Sequence, residues 1–107
     1  DGGVKCWGRN QYGQLGNKNN QDLHIPDSFV DLDTPHIAAS QTAVSITCGD
    51  EYTCVSLSDG NAKCWGYNGN GQLGVGNTAN YNRPTPEISV GGWAVQVIAG
   101  YRHTCAV

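Results

Sequence analysis

Apolar and polar residues alternate along several short stretches of the chain, and turn-forming residues separate these stretches. Residues 44–48 alternate in this way and are rich in β-branched side chains. A turn that begins at Gly49 leads into a second apolar stretch at 53–57, and the whole arrangement recurs at 95–107. Alternation with a period of two is typical of β-strands, so the pattern predicts two β-hairpins.

Two further strands are predicted after the first hairpin. A turn around Gly60, where a positive φ is expected, returns the chain into a third strand at 62–66. The glycine-rich segment 67–74 that follows indicates an ordered loop. Segment 83–90 carries two prolines before an apolar stretch, and proline confines such a segment to the edge of a sheet. The four strands together make an antiparallel blade, and blades repeated radially make a β-propeller.

The beginning of the chain is repeated in its second half. Residues 1–26 and 59–84 share 13 identities at a constant offset of 58, without a gap. A second correspondence, at an offset of 51, aligns 43–54 with 94–105. The difference of seven residues places an insertion in the first copy, between Asp27 and Ala43, where it is expected to form a loop. Internal repetition of this strength indicates a repeat architecture.

The repeat predicts how the chain is divided. Residues 1–42 hold the third and fourth strands of one blade and the long insertion loop. Residues 43–92 hold one complete blade, and residues 93–107 hold the first two strands of the next. This amounts to about two blades that begin and end mid-blade. Because repeat units bury their apolar faces on their neighbours, we expect a window of a longer array or a subunit completed by its neighbours.

Composition supports an all-β fold and limits the possible partners. Fifteen glycines, no methionine and few charged residues disfavour helices and favour tight turns. The formal net charge is −3 with only six Lys plus Arg, so no basic stripe is available for the phosphates of a nucleic acid. No run of apolar residues is long enough to span a bilayer.

One string of residues in both copies is specific to a known family. It reads Cys-Trp-Gly-x-Asn-x-x-Gly-Gln-Leu-Gly and begins at Cys6 and at Cys64. It resembles the repeat of the regulator of chromosome condensation family, whose repeats build seven-bladed propellers. The resemblance therefore implies the fold that the strand pattern predicts. The residues expected to form the structural motif are Trp7, Gly8, Gly13, Leu15, Gly16, Trp65, Gly66, Gly71, Leu73, Gly74 and His103.

Five cysteines in so short a chain indicate an oxidising compartment. Cys54 and Cys64 lie opposite each other in the predicted hairpin, where Cα atoms are about 4.5 to 5.5 Å apart and a disulfide can form. Metal ligation is the competing interpretation, but the chain has no Cys-x-x-Cys pair and no two His at ligand spacing. We predict a Cys54–Cys64 disulfide and no metal site.

The other three cysteines raise the question of cross-links to a neighbour. Cys6 and Cys105 occupy the same two repeat positions as the predicted disulfide, but their partners fall outside the chain. Joining the end of one copy to the start of another makes a similar hairpin, shorter by two residues. This predicts a tandem array, or separate chains joined head to tail by Cys105 and Cys6, which close to a ring or grow into a filament. Cys48 stands where the other copy has Ala99. We expect a buried thiol there, with a cross-link to another blade or chain as the alternative.

The remaining candidate residues are expected to be structural. Trp7 and Trp65 follow the two cysteines of the motif and are expected to pack beside the disulfide. His103 is expected to be a turn residue that donates hydrogen bonds to the backbone. A polar cluster near the insertion could suggest a hard cation, but its spacing matches no calcium loop, so a solvated loop is favoured. This cluster consists of His24, Asp27, Asp31, Asp33 and His36.

The sequence contains no catalytic constellation, so we expect neither an enzyme nor a cofactor. The leading hypothesis is a secreted structural or interaction module at the cell surface or outside the cell. Its partners would be proteins, either further copies or adjacent repeats, and the product a larger array or filament. The family resemblance implies an alternative, guanine-nucleotide exchange or other regulatory binding by a complete propeller, against which the cysteines and the negative charge count. A third hypothesis is an extracellular, lectin-like propeller that binds ligands on its loop faces.

Overall fold

The computed structural model describes residues 3–27, 30, 41–86, 88, 90–93 and 96–107. Within these residues the chain forms five β-strands and no helix: β1 (Ala43–Cys48), β2 (Tyr52–Leu57), β3 (Ala62–Gly66), β4 (Val97–Ala99) and β5 (Thr104–Ala106). Strands β1, β2 and β3 form one antiparallel sheet in that order, and β4 and β5 form a second. The predicted all-β fold is confirmed.

The β2–β3 hairpin is the centre of the molecule. Its register places Cys54 opposite Cys64 and Thr53 opposite Trp65. Every residue of both strands is buried, whereas β1 is largely exposed. Both faces of the hairpin are therefore covered, which makes it the strand pair on which the neighbouring repeats pack.

A proline-bearing segment lies along β3, where the sequence predicts a fourth strand at 83–90. It contacts β3 through two isolated bridges near the ends of that strand. Between them, the N–H of Thr85 donates to the carbonyl of Cys64 (3.0 Å), and the N–H of Cys64 donates to the hydroxyl of Thr85 (3.2 Å). Because Pro84 and Pro86 have no N–H to donate, the segment forms an irregular edge instead of a continuous ladder.

The first copy of the repeat has the same arrangement. The bridges Val4–Val30 and Gly8–Leu23 lie 58 residues before those along β3. A third-strand segment and an edge segment are therefore present in both copies. Most of the predicted insertion lies outside the described residues, and the division into 1–42, 43–92 and 93–107 stays a prediction.

Apolar side chains form one cluster on each face of the β2–β3 hairpin. The first contains Tyr52, Cys54, Ala62, Cys64, Leu73 and Val97. The second contains Val4, Val30, Val55, Leu57 and Trp65. Each cluster combines the hairpin with residues of a neighbouring repeat, so the core is made between blades as well as within them.

The prediction that Trp65 packs beside the disulfide is wrong. Successive side chains of a strand point to opposite faces, so Cys64 and Trp65 cannot face the same cluster. Trp65 is fully buried on the face that contacts the first repeat. Trp7, at the equivalent position of the first repeat, is 59% exposed, so the prediction also fails there.

Removal of the disulfide tests its contribution to stability. The bond joins residues separated by 10 in sequence. We expect the double variant C54A/C64A to lose about 2 to 3 kcal/mol of unfolding free energy, because its unfolded chain regains the entropy of an open loop. Denaturant unfolding followed by tryptophan fluorescence measures the change. Cys48→Ser, at an exposed position, is the control and should change stability by no more than about 0.5 kcal/mol. Equal stability of the double variant and the native chain would contradict this role.

Candidate functional site

A buried asparagine organises the glycine-rich loop of each repeat. Asn68 is fully buried, and its Nδ2 donates to the carbonyls of Asn77 (3.0 Å) and Ala79 (2.9 Å). Its Oδ1 accepts the N–H of Leu73 (3.0 Å). Asn10 makes the same three contacts 58 residues earlier, at 2.9 to 3.0 Å. One side chain thus satisfies three backbone groups of a loop that belongs to no sheet.

The motif glycines have the backbone conformation that the loop needs. All six have φ between 72° and 111°, where a side chain is strained: Gly8, Gly13, Gly16, Gly66, Gly71 and Gly74. The motif leucines Leu15 and Leu73 are buried between them. The glycine spacing of the motif is therefore a requirement of the loop backbone.

The carbonyl of Gln14, at the tip of the first loop, joins the first repeat to the second. It accepts a hydrogen bond from the hydroxyl of Thr53 (2.9 Å) and another from the indole Nε1–H of Trp65 (2.8 Å). Thr53 and Trp65 are opposite each other in β2 and β3, so both strands of the hairpin hold one carbonyl. The contact also provides the acceptor that a buried indole N–H needs.

The second loop makes part of the same contact with the β4–β5 hairpin. The hydroxyl of Thr104 donates to the carbonyl of Gln72 (2.7 Å). Beside it, the hydroxyl of Tyr52 donates to the carbonyl of His103 (2.5 Å). His103 therefore contributes its backbone oxygen to this junction, and the hydrogen bonds predicted for its imidazole are not observed in the described structure.

The cysteines fall into one bonded pair and three thiols. Cys54 and Cys64, the pair predicted from the hairpin, are joined by a disulfide with Cα atoms 4.1 Å apart. Cys6 is half-buried and Cys105 is exposed, and both are free. Cys48 is exposed as well, so the expectation of a buried thiol is wrong. It lies at the end of β1, an outer strand of its sheet.

Cys6 is a weak nucleophile in this environment. Burial raises the pKa of the Cys6 thiol to about 11, and neighbouring Cys48 contributes to the rise. Both thiols line a surface groove together with Trp7 and Ile46. Because the thiolate is the reactive form, a raised pKa does not suit a catalytic cysteine.

The described residues offer little for other kinds of site. Among them, no group of three or more His, Cys, Asp or Glu is placed to hold a metal ion. In the predicted polar cluster, His24 and Asp27 are exposed, whereas Asp31, Asp33 and His36 lie outside the described residues. Nor does any described segment form a helix with the length and hydropathy needed to cross a membrane.

Two pairs of polar residues that make the junctions are not among the site residues predicted from the sequence. Asn10 and Asn68 hold the loops, and Thr53 and Thr104 bind the loop carbonyls. Each pair is identical between the copies at an offset of 58 or 51. Identity of buried polar residues between repeats is the signal that could have identified them.

The geometry of the two copies agrees with a known repeat family. The model of the regulator of chromosome condensation (RCC1) repeat matches residues 1–56 and 59–107. The chain belongs to the RCC1 repeat family. Both copies of the RCC1 motif and both loop junctions lie within the matched ranges.

Relatives with RCC1 repeats are much longer than this chain. The probable E3 ubiquitin-protein ligase HERC4 of Mus musculus is 34% identical over 106 residues, which are 98% of this chain and 10% of that protein. The ultraviolet-B receptor UVR8 of Arabidopsis thaliana is 32% identical over 108 residues, or 100% of this chain and 23% of the receptor. The chain thus spans between a tenth and a quarter of these relatives.

A solved RCC1 propeller shares the fold. Yeast RCC1 (Prp20), in its crystal structure with Kap60, superposes with a TM-score of 0.79 over 98% of this chain at 20% identity. The match covers 26% of that RCC1 chain. The predicted propeller fold is confirmed, and the chain holds the strands of about two RCC1 blades.

Substitution of Asn68 tests whether its side chain holds the second loop. We expect Asn68→Ala to lower the unfolding free energy by about 2 to 4 kcal/mol, because a buried N–H and two buried carbonyls lose their partner. Asn70→Ala, at an exposed position of the same loop, is the matched control and should change it by no more than about 0.5 kcal/mol. Denaturant unfolding of the two variants makes the comparison. Equal stabilities would show that the loop does not depend on Asn68.

The pH dependence of alkylation tests the burial of Cys6. Only the thiolate reacts, so the rate at Cys6 should rise about tenfold per pH unit up to its pKa of about 11. Cys48→Ser should lower this pKa, because Cys48 adds to the rise. Mass spectrometry of labelled peptides resolves the rate at each cysteine. A rate that levels off near the ordinary thiol pKa of about 8.5 would contradict the burial.

Proposed function

We propose that this RCC1-repeat chain is a non-enzymatic structural and interaction module that assembles head to tail outside the cell. The observation that carries the proposal is the position of two free thiols. Cys6 and Cys105 occupy the repeat positions that the disulfide joins in the β2–β3 hairpin, yet they lie in different copies of the motif. A bond between two copies of the chain would restore the pair.

The strand arrangement supports such a bond. β5 is paired with β4 on one side, and no described segment pairs with its other edge. Segment 4–8 carries Cys6 and has the same bridges to its edge segment as β3. If segment 4–8 of one copy pairs with β5 of another in the register of the β2–β3 hairpin, Cys6 lies opposite Cys105. Addition of a strand to an open sheet edge supplies main-chain hydrogen bonds to both.

The number of strands limits the size of a closed assembly. Each copy contributes the strands of about two blades, and propellers have about four to eight blades. Three or four copies would therefore close a ring of six or eight blades. If the rotation between copies does not close, the same contact grows into a filament.

The cysteine chemistry supports an extracellular location. The Cys54–Cys64 disulfide is buried in the core of the complete blade. Disulfides of this kind form and persist in oxidising compartments. A second bond between copies would need the same conditions.

A second candidate function is regulatory protein binding by a complete propeller, including guanine-nucleotide exchange. It is favoured by the yeast RCC1 structure, which contains the protein partner Kap60. The present chain corresponds to 26% of that propeller, so such binding would require the blades that further repeats supply. The ligase activity in the name of HERC4 gives less support to any function of this chain, since the matched region is only 10% of that protein.

Denatured mass before and after reduction tests the assembly. For a polypeptide of these 107 residues alone, we expect a ladder of species at multiples of 11.4 kDa without reductant, and a single species of 11.4 kDa with it. Cys6→Ser and Cys105→Ser should each stop the ladder at the dimer or earlier, because the bond needs one thiol of each kind. Cys48→Ser is the matched control and should leave the ladder intact.

Two outcomes would contradict the proposal. One is a monomer under both conditions, and the other is a ladder that persists in Cys6→Ser. Faster nucleotide release from a small GTPase on addition of the monomeric chain would favour the regulatory alternative.

A further inference from the structure

Trp65 fills a pocket formed by the first repeat. Its side chain is fully buried, and its indole N–H donates to the carbonyl of Gln14 (2.8 Å). Its ring belongs to the same cluster as Val4 and Val30. Gly16 lies directly against the ring, since a Cβ there would be 2.7 Å from the indole nitrogen. The indole therefore fits because this position has no side chain.

The second repeat forms the same pocket 58 residues later. The four wall residues that correspond to Gln14, Gly16, Val4 and Val30 are Gln72, Gly74, Ala62 and Ile88. All four line a cleft of about 310 Å³ between the second repeat and the β4–β5 hairpin. A Cβ on Gly74 would meet only the side chain of Ile88, at 3.4 and 3.9 Å. Within the described residues, no indole occupies this second pocket.

The polar groups of the cleft are also arranged to receive a partner. The carbonyl of Gln72 accepts the hydroxyl of Thr104 (2.7 Å), as the carbonyl of Gln14 accepts that of Thr53. Within the described residues, no indole N–H donates to the carbonyl of Gln72 in the way that Trp65 donates to the carbonyl of Gln14. The amide Nε2 of Gln72 is buried and has no hydrogen-bond partner among them. A buried donor without an acceptor is costly, so this end of the cleft is not fully satisfied within the described residues.

The chain itself contains a tryptophan suited to this cleft. Trp7 corresponds to Trp65 in the repeat and is 59% exposed. In the β2–β3 hairpin the Thr53–Trp65 pair is adjacent to the disulfide pair. The register that brings Cys6 of a second copy opposite Cys105 therefore brings Trp7 opposite Thr104. From there the indole reaches the carbonyl that Thr104 already contacts.

We propose that the cleft at Gln72, Gly74 and Ile88 is a tryptophan pocket whose occupant is Trp7 of a second copy of this chain. This inference rests on the head-to-tail assembly proposed above, and it identifies the non-covalent contact that holds the copies together. Oxidation of the Cys6 and Cys105 thiols, in which a disulfide such as oxidised glutathione accepts the two electrons and two protons, then locks an interface that the tryptophan has already aligned. A buried aromatic ring with one satisfied polar atom is the kind of residue that dominates the affinity of protein interfaces.

The test uses a chain that cannot form the disulfide. In the double variant C6S/C105S, association is measured by sedimentation equilibrium over a range of concentrations. We expect Trp7→Ala in this background to raise the dissociation constant at least about 30-fold, the effect typical of an interface hot spot. Trp7→Phe should have an intermediate effect, because phenylalanine fills the pocket but has no N–H for the Gln72 carbonyl.

Tyr12→Ala is the matched control for an aromatic residue of the first repeat. Tyr12 contacts the ring of Tyr67 within the chain, with centroids 5.0 Å apart, on the side that faces the second repeat. We expect this variant to associate like the C6S/C105S parent. Because Trp7 is largely exposed, Trp7→Ala should fold as stably as the parent, and denaturant unfolding checks this.

The outcomes separate this inference from the proposed assembly. If C6S/C105S associates and Trp7→Ala associates equally tightly, the tryptophan pocket is wrong and the head-to-tail assembly stands. If the native chain forms the disulfide ladder but C6S/C105S does not associate, the pocket does not hold the copies together. If the native chain is monomeric in both redox states, both proposals fail, and the cleft is left for a further repeat of a longer polypeptide.

Discussion

One loop carbonyl, bonded to two side chains of the next hairpin, holds the two repeats of this chain together. Gln14 presents its carbonyl to Thr53 and Trp65 at once, and thereby fixes the first loop against both central strands of the next blade. The groups involved are 39 and 51 residues apart in sequence. The two hydrogen bonds therefore hold the first loop against the second repeat at this point. Burial of the large Trp65 ring at the same place adds the apolar part of the contact.

This contact requires a loop that keeps its shape without a sheet. Asn10 and Asn68 provide that shape, because each amide replaces the ladder partners that the loop backbone lacks. The motif glycines allow the backbone to turn at positive φ beside them. The two copies of the motif are therefore alike for a physical reason. The asparagine, the glycines and the loop carbonyl must keep their spacing for one repeat to contact the next.

Some apolar side chains are exposed in one repeat although their counterparts in the other repeat are buried. Trp7 and Ile46 are exposed, and they line one groove with Cys6. Val97, the counterpart of Ile46, is buried against the disulfide of the preceding blade, and Trp65, the counterpart of Trp7, is buried against the preceding loop. The groove is therefore the counterpart, one repeat earlier, of the cleft beside Gln72, since Gln14 and Thr53 in the groove correspond to Gln72 and Thr104 in the cleft.

The pairing of Cys54 with Cys64 could be predicted from the local sequence pattern alone. Alternation, the turn at Gly60 and the symmetric spacing of the two cysteines place the strands in register, because each of these depends on residues close together in the chain. The edge segment was less regular than predicted, since the prolines withhold two donors and the Thr85 hydroxyl replaces one of the ladder contacts. The propeller repeat itself was predictable, because the motif is present twice.

The side chains at the junctions were not predictable in the same way. The residue pattern is enough to predict the all-β class, the strands of the central hairpin and the loops that the glycines impose, since these follow from the period of the side chains and from backbone sterics. The same period places Cys64 and Trp65 on opposite faces of β3. The exposure of Trp7 and Cys48, and the junctions that Asn68 and Thr53 hold, are visible only in the folded chain. These features depend on which neighbouring repeat covers each face of a strand, and that contact joins residues remote from one another in the chain.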